Sequence, residues 1–186
     1  MARSINDSLQ VLSVVLHYPD EELFSRLDEI GSFAERLLSA EIQSAVQAYL
    51  HYLRAHAPIH VQERYTAVFD MNPATTLNVT YHAFGDNEKR AGALARLQHT
   101  YAQAGWERIS GELPDYLPLM LEFLSICPHP AHTAPVWRCL QGLSPLVERL
   151  EKIEPIYAGL LRPIVPMAIE QCAADDHCDH PFEVNE

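Results

Sequence analysis

The stretch IQSAVQAYLHYL, residues 42–53, indicates the fold class of this chain of 186 residues. Its apolar positions 42, 45, 46, 49, 50 and 53 are separated by three or four residues, which places them on one face of an α-helix. The same spacing recurs from end to end, and no convincing alternation of apolar and polar residues indicates a strand. We therefore expect an all-α protein, a single helical bundle of roughly seven to nine helices.

Prolines, glycines and capping residues predict where these helices begin and end. Pro19 ends the first helix, and Asp20 caps a second one that Gly31 closes, with a weaker helix after it over residues 33–38. The other predicted helices cover residues 42 to just before Pro58, 61–70, an irregular 75–84, 87–104, 117–126, 136–153 and 156–174, with a proline-rich connection over 127–135.

The chain is acidic, with 25 Asp and Glu against 13 Lys and Arg and a formal net charge of −12. Five of these acids lie after residue 174, where there is no Lys or Arg, so residues 1–174 keep 13 basic against 20 acidic residues and a charge of −7. Such a surface repels phosphate backbones and anionic lipid head groups. We therefore expect neither nucleic acid nor a membrane as the partner.

The domain organisation follows from the same composition. Residues 1–174 are predicted to form one helical domain, and residues 175–186 to form a disordered acidic tail. The apolar run at residues 9–16 is too short to span a bilayer and lacks a signal-peptide cleavage site. The four cysteines do not have the spacing of a secreted disulfide framework, which predicts reduced thiols and a cytoplasmic protein.

Cys and His residues are concentrated near the C-terminus. Cys172, His177, Cys178 and His180 are candidate ligands for zinc or nickel. The stretch has almost no apolar residue to hold a site in place, so a solvated tail is the favoured interpretation. We predict no cofactor, and a metal-binding function of the tail remains the alternative.

The motifs of common catalytic sites are absent from the sequence. There is no phosphate-binding loop followed by Lys-Ser or Lys-Thr, no GxSxG and no HExxH. Glu112 and Asp115 come directly before a helix, where acids bind free backbone N–H groups, and this explains them better than an acid–base pair. We therefore predict that the protein is not an enzyme and binds another protein.

Three stretches, taken together, resemble one family. ERYTAVFD at 63–70 is similar to a Tyr-x-x-Leu-Phe segment, and YHAFGD at 81–86 leads into a charged helix start. The most specific is ELPDYLPLMLEFL at 112–124, which is similar to a Glu-x-Pro-Asp-His signature with Tyr116 in place of histidine. They resemble the NarJ family, within the TorD/DmsD group of chaperones for molybdenum oxidoreductases. The resemblance covers nearly the whole chain.

The resemblance implies a TorD/NarJ-like fold and a system-specific cytoplasmic chaperone. Such a protein binds the N-terminal segment of a molybdoenzyme catalytic subunit, with respiratory nitrate reductase as the first expectation, and supports molybdenum cofactor insertion and complex assembly. A different molybdenum reductase is the alternative. Cofactor-delivery proteins are further expected partners, and both a monomer and a helix-exchanged dimer are open. Tyr116 would not ionise near neutral pH as the family histidine can.

On this reading an amphipathic basic segment places apolar anchors in a groove between helices, and carboxylates at the rim meet its positive charges. Asp115 is the first candidate, because helix capping and peptide contact do not exclude one another. For each aromatic candidate, burial in the core is the favoured alternative. The candidates for the groove or its floor are Tyr65, Phe69, Tyr81, Leu117, Met120, Leu121 and Phe123, and those for the rim are Asp70, Asp86, Glu112, Asp115 and Glu122. Pro114 and Tyr116 are further peptide-binding candidates.

Overall fold

The computed structural model describes residues 2–107 and 111–174. Within these ranges the chain is helical and its one β contact is a bridge between Asn78 and Tyr116, so the all-α prediction is confirmed. The helices are α1 (Ala2–Val15), α2 (Glu21–Ser25), α3 (Leu27–Ala34), α4 (Ala40–Ala55), α5 (Pro58–Tyr65), α6 (Val79–Phe84), α7 (Glu88–Gln103), α8 (Leu117–Ile126), α9 (Pro130–Leu140), α10 (Ser144–Ile153), α11 (Pro155–Leu161) and α12 (Ile164–Ala173). A π-helical turn (Thr66–Asp70) continues α5, and 3₁₀ turns lie at Pro73–Thr75 and Gln141–Leu143.

The core is built around the contact between α1 and α8. Helix α8 is apolar on nearly every face, with Glu122 as its one charged residue, and such a helix is stable only when other elements surround it. On α1, the side chains of Leu9, Leu12 and Val15 are fully buried. The other helices enclose this pair: α4 packs against α3 and α11, and α9 packs against α7 and α12.

The predicted second helix is divided in two. Asp20 does cap it, since its Oδ1 accepts a hydrogen bond of 2.9 Å from the backbone N–H of Leu23. The helix then breaks at Arg26, and Gly31 lies inside α3 rather than at its end. A Cβ at Gly31 would lie at an ordinary contact distance, 3.5 Å, from Cδ1 of Leu50, so this glycine lies where α3 packs on α4 and not at a helix end. The predicted helix over 33–38 is wrong, because α3 ends at Ala34.

The C-terminal boundaries also differ from the prediction. The connection predicted at 127–135 is largely helical. Pro130 takes the first position of α9, where the N–H that proline lacks would have had no partner within the helix. Pro135 lies inside the same helix. The two predicted last helices are each divided, the first by the 3₁₀ turn Gln141–Leu143 and the second before Ile164. Pro155 begins α11 for the same reason that Pro130 begins α9.

The boundaries of two other helices are confirmed. Helix α8 covers the predicted residues, and α7 begins after Asn87, whose Oδ1 accepts a hydrogen bond of 2.8 Å from the N–H of Lys89. Gly105, with φ of 70°, follows the end of α7 as predicted. No helix in the described part of the chain combines the length and apolarity that crossing a membrane requires. The predicted tail, 175–186, lies outside the described residues.

Candidate functional site

The Asp115 carboxylate is completely buried in the turn before α8. Its Oδ1 accepts a hydrogen bond of 3.1 Å from the Asn78 side chain. Its Oδ2 accepts bonds from the N–H and the hydroxyl of Thr80, at 3.1 and 2.5 Å, and lies 3.6 Å from the Arg90 guanidinium. One carboxylate therefore holds α6, α7 and the start of α8 together.

The backbone strengthens this junction. The Val79 N–H donates to the Asp115 carbonyl and the Leu117 N–H donates to the Leu77 carbonyl, each at 2.9 Å. The predicted position of Asp115 at an exposed rim is therefore wrong, because its carboxylate points inward. The predicted helix cap is also wrong, since the N-cap of α8 is Tyr116 and has no side-chain capping bond. An effect of Asp115 on binding would act through the shape of this turn.

Tyr65 and Tyr116, which we call the tyrosine pair, form the second part of the site. The Tyr65 hydroxyl donates to the Leu16 carbonyl at 2.9 Å and lies 3.0 Å from the Tyr116 hydroxyl. Because the Tyr65 proton is used on the carbonyl, Tyr116 is the donor to Tyr65. Burial raises the pKa of Tyr116 to about 12, so this bond persists over the physiological pH range. The rings of His17 and Tyr18 pack edge-on against Tyr116 and Tyr65, each at 5.6 Å between centroids.

Acidic side chains surround this aromatic group. The His17 ring is partly buried, and this burial lowers the pKa of its imidazole. The carboxylates of Glu122, Glu112 and Asp20 act in the opposite direction. The Asp70 carboxylate adds to the rise in the pKa of both hydroxyls of the tyrosine pair, behind the larger effect of burial. The structure thus brings together Asp70, Glu112 and Glu122, three of the predicted rim residues, and all three are exposed.

Tyr81 and Asp86 are placed elsewhere. Both pack around Arg90: its guanidinium lies over the Tyr81 ring, 5.4 Å from the centroid, and 3.4 Å from the Asp86 carboxylate. These two predicted residues therefore belong to the α6–α7 junction and not to the tyrosine pair.

The remaining predicted residues are buried and pack in the core beneath the site. Tyr101 donates a hydrogen bond of 2.8 Å to the Pro114 carbonyl, which fixes the turn from the core side. Such side chains set the positions of the helices and do not themselves offer a surface. Besides Tyr65 and Asp115, the buried members of the predicted set are Phe69, Pro114, Leu117, Met120, Leu121 and Phe123.

An exposed apolar surface beside Tyr18 was missed by the sequence prediction. Ile59 is 57% exposed, Met71 is 76% exposed and Tyr18 is 43% exposed, and all three line one shallow depression of about 390 Å³. The available signal was that residues 59, 63 and 67 share a helix face opposite the buried stripe of Val61 and Tyr65. We call this surface the α5 strip; it is lined by Tyr18, Ile59, Gln62, Glu63, Thr66, Ala67 and Met71.

The metal-site candidates fall mostly outside the described residues. Cys172 is buried in α12, and His177, Cys178 and His180 lie in the part of the chain that is not described. Across residues 2–107 and 111–174, no three His, Cys, Asp or Glu side chains are grouped so that they could hold a metal ion.

Comparison with known proteins identifies the family. The family model described as "Nitrate reductase delta subunit" matches residues 35–139. The chain belongs to the nitrate reductase delta subunit family. The matched range contains the tyrosine pair, the Asp115 turn and the whole of α8, while His17 and Tyr18 lie outside it.

Two named proteins are similar to this chain over most of its length. The chain is 33% identical, over 83% of its length and 84% of the relative's, to the "Probable nitrate reductase molybdenum cofactor assembly chaperone NarJ" of Bacillus subtilis (strain 168). It is 32% identical, over 86% of its length and 69% of the relative's, to the corresponding NarJ of Escherichia coli (strain K12). The resemblance to the NarJ family drawn from three short stretches is confirmed.

A solved structure has the same fold as this chain. The chain superimposes on a putative redox enzyme maturation protein from Archaeoglobus fulgidus with a TM-score of 0.63 and 22% identity, over 87% of this chain and 92% of that one. The all-helical arrangement described above is therefore the fold of that protein too.

Proposed function

We propose that this protein is a maturation chaperone for a molybdenum-containing nitrate reductase. It binds the N-terminal segment of the catalytic subunit in the cytoplasm and supports cofactor insertion before the complex is assembled. The observation that carries the proposal is the 33% identity, over 83% of the chain, to a protein named as a nitrate reductase molybdenum cofactor assembly chaperone.

The geometry of the site supports binding rather than catalysis. The Asp115 carboxylate is engaged with Asn78, Thr80 and Arg90, and the hydroxyls of the tyrosine pair are engaged with each other and with the Leu16 carbonyl. Groups held in this way maintain a shape and are not free to exchange protons with a substrate. Exposed carboxylates next to exposed apolar side chains suit an amphipathic basic segment, which they would attract and anchor.

The first test is a calorimetric titration with a synthetic peptide. The peptide is the N-terminal segment of the nitrate reductase catalytic subunit encoded in the same genome, and a peptide of the same composition in scrambled order is the control. We expect micromolar or tighter binding of the native peptide, weakened by added salt because the rim carboxylates contribute. No heat with the native peptide at any pH between 6 and 8 would refute the proposal.

The second test is genetic. A strain that lacks this gene is expected to accumulate the catalytic subunit without its molybdenum cofactor, and restoring the gene should restore both cofactor content and nitrate reduction. The molybdenum content of the purified reductase is the decisive reading, because it separates maturation from an effect on expression. Full molybdenum content in the deletion strain would exclude the proposed role.

A further inference from the structure

The acidic residues of this chain are unevenly distributed. Although the formal net charge is −12, two long stretches, residues 89–106 and 123–147, contain no Asp or Glu. The first stretch contains all of α7 except its first residue, and the second contains the end of α8 and the whole of α9. The basic and histidine residues of these stretches are Lys89, Arg90, Arg96, His99, His129, His132 and Arg138.

The fold brings the two stretches together, because α7 and α9 pack against each other. On α7, Lys89, Arg96 and His99 are exposed, and their spacing of seven and three residues places them on one side of the helix. Arg138 is half-buried on α9. We call the surface formed by these four residues the α7–α9 face.

Arg96 and Arg138 lie close to the same atom, the Sγ of Cys139. Burial raises the pKa of this thiol to about 12 and Asp115 adds to the rise, while the positive charges of Arg96 and Arg138 act in the opposite direction. The Arg96 guanidinium lies back along α7, since a Cβ at Gly92 would be 3.5 Å from its Nη1. The two guanidinium groups therefore occupy the same part of the α7–α9 face.

Neither of these two arginines is neutralised by an acid. Among the described residues, Arg96 and Arg138 form no ion pair, whereas the exposed Arg54 is paired with Asp28 at 2.8 Å. The Asp115 carboxylate is fully buried and is already bound by other groups. A single unpaired arginine on a surface is ordinary, but two at one place, on a face without acids, give a local positive charge on an acidic protein.

The shape and charge of the α7–α9 face restrict what it can bind. A guanidinium group binds a carboxylate through two parallel hydrogen bonds, which suits arginine to the recognition of acidic side chains. Lys89 and His99 are about 15 Å apart along α7 at 1.5 Å per residue, the length of about five residues of extended chain. A long polyanion or a membrane would extend beyond this face and be repelled by the acids of the remaining surface.

We propose that the α7–α9 face is a second interaction surface, which binds a short acidic segment of a further protein partner. Arg96 and Arg138 bind the carboxylates of this segment, and Lys89 and His99 extend the contact along α7. The chain then presents an acidic surface around the tyrosine pair to one partner and a basic surface to another. This inference goes beyond the proposed function and does not depend on it.

The test is an NMR titration of the whole chain with pentaglutamate at low salt, with pentaglutamine as the control peptide. We expect pentaglutamate to shift the side-chain Nε–H signals of Arg96 and Arg138 in a saturable way and to leave that of the paired Arg54 unchanged. Pentaglutamine should shift none of them, and added salt should weaken the binding of pentaglutamate. No saturable shift at Arg96 and Arg138 would overturn the proposal.

Matched variants separate this face from the net charge of the protein. Arg96→Gln and Arg138→Gln should each weaken pentaglutamate binding at least threefold, and the double variant at least tenfold. Arg54→Gln removes the same charge from an exposed position and should change the binding less than twofold. Circular dichroism and thermal unfolding show whether each variant is folded, and the exposed Arg96 carries the test alone if Arg138→Gln unfolds. Equal weakening by Arg54→Gln would contradict a specific face.

Two further measurements complete the test. Inorganic phosphate should not shift the Arg96 and Arg138 signals at concentrations where pentaglutamate saturates them; if it does, the face is a general anion site and the proposal is wrong. The double variant should bind the N-terminal peptide of the reductase subunit within twofold of the wild type in calorimetry. Loss of that binding would show that the two surfaces are not separate, whereas failure of pentaglutamate binding alone leaves the proposed function intact.

Discussion

The guanidinium of Arg90 lies 3.6 Å from the carboxylate of Asp115, with the carboxylate fully buried and the Arg90 side chain 16% exposed. This pair joins α7 to the turn before α8. The carboxylate also accepts two hydrogen bonds from Thr80 and one from the Asn78 side chain. A buried charge costs free energy unless it is paired and hydrogen-bonded, so each of these partners matters for the stability of the fold.

Asp115→Ala is expected to lower the free energy of unfolding by about 2–4 kcal/mol, because it leaves the Thr80 N–H and the Asn78 side chain without their acceptor and removes the buried partner of Arg90. Asp86→Ala, which removes the exposed partner of the same arginine, is expected to cost less than about 1 kcal/mol. Urea denaturation followed by circular dichroism measures both. Equal losses for the two variants would show that Asp115 does not have the central role assigned to it.

The hydrogen bond within the tyrosine pair is expected to appear as a coupling energy. Tyr65→Phe removes the donor to the Leu16 carbonyl and should cost about 1–2 kcal/mol, and Tyr116→Phe should cost about 0.5–1 kcal/mol. In the double variant the two losses should fall short of additivity by about 0.5–1 kcal/mol, since only one hydrogen bond joins the hydroxyls. Strict additivity in urea denaturation would mean that the hydroxyls do not interact in solution.

The parts of the fold that could be predicted are those whose signal is local. Helix α8 was placed correctly because its apolar residues and Pro118 near its start define both its burial and its beginning. Pro130 misled the prediction, because a proline that begins a helix and one that ends it look the same until the neighbouring packing is known.

The site was harder to predict because its contacts join distant parts of the chain. Asp115 meets Thr80 and Asn78, 35 and 37 residues away, and nothing in the residues around Asp115 shows that its carboxylate turns inward. The exposure of Asp70 and Glu112 could be predicted, because charged residues at a helix end are visible in sequence and usually lie in water. The α5 strip was missed because exposed Ile59 and Met71 look like ordinary members of a helix until their surroundings are known.

Gly85 is expected to be needed for its backbone conformation. It ends α6 with φ of 59° and ψ of −149°, a region that is essentially restricted to glycine. Gly85→Ala should lower the free energy of unfolding by about 1–3 kcal/mol, although an added Cβ would have no atom within 4 Å. Gly159→Ala is the matched control, since its Cβ also has free space but the residue lies in α11 without a positive φ, and it should stabilise by about 0.5–1 kcal/mol. A neutral Gly85→Ala in thermal unfolding would contradict this expectation.

His82 is expected to make the protein less stable as the pH falls. Burial lowers the pKa of its imidazole, and Arg149 lowers it further. The Nε2–H donates to the Thr76 carbonyl at 2.8 Å while Nδ1 accepts from Arg149 at 3.3 Å, so the ring is held in its neutral form. Because the pKa is lower in the folded state, the unfolded chain binds more protons once the pH drops below about 6.5, and stability is lost as the pH falls through the folded pKa.

The measurement is urea denaturation at pH 7.5 and 5.5 at constant ionic strength. The wild type should lose stability between these values, and His82→Gln, which keeps a donor and an acceptor but does not titrate, should lose less. Burial also lowers the pKa of His17, so the stability of the His82→Gln variant should still fall somewhat as the pH falls. A slope of the opposite sign, or an identical slope in His82→Gln, would rule out this coupling.

The rim carboxylates are expected to divide into two groups in binding experiments. Glu112 acts on His17 and Asp70 acts on the tyrosine pair, whereas Asp86 is paired with Arg90 at the α6–α7 junction. Glu112→Lys and Asp70→Lys should each weaken binding of the basic N-terminal peptide by about three- to tenfold at low salt, because exposed charges contribute modestly and are screened. Asp86→Lys adds the same charge to the protein and should change the Kd less than twofold. Calorimetry at low and high salt makes the comparison, and equal weakening by all three would mean that the peptide responds to the net charge of the protein and not to this site.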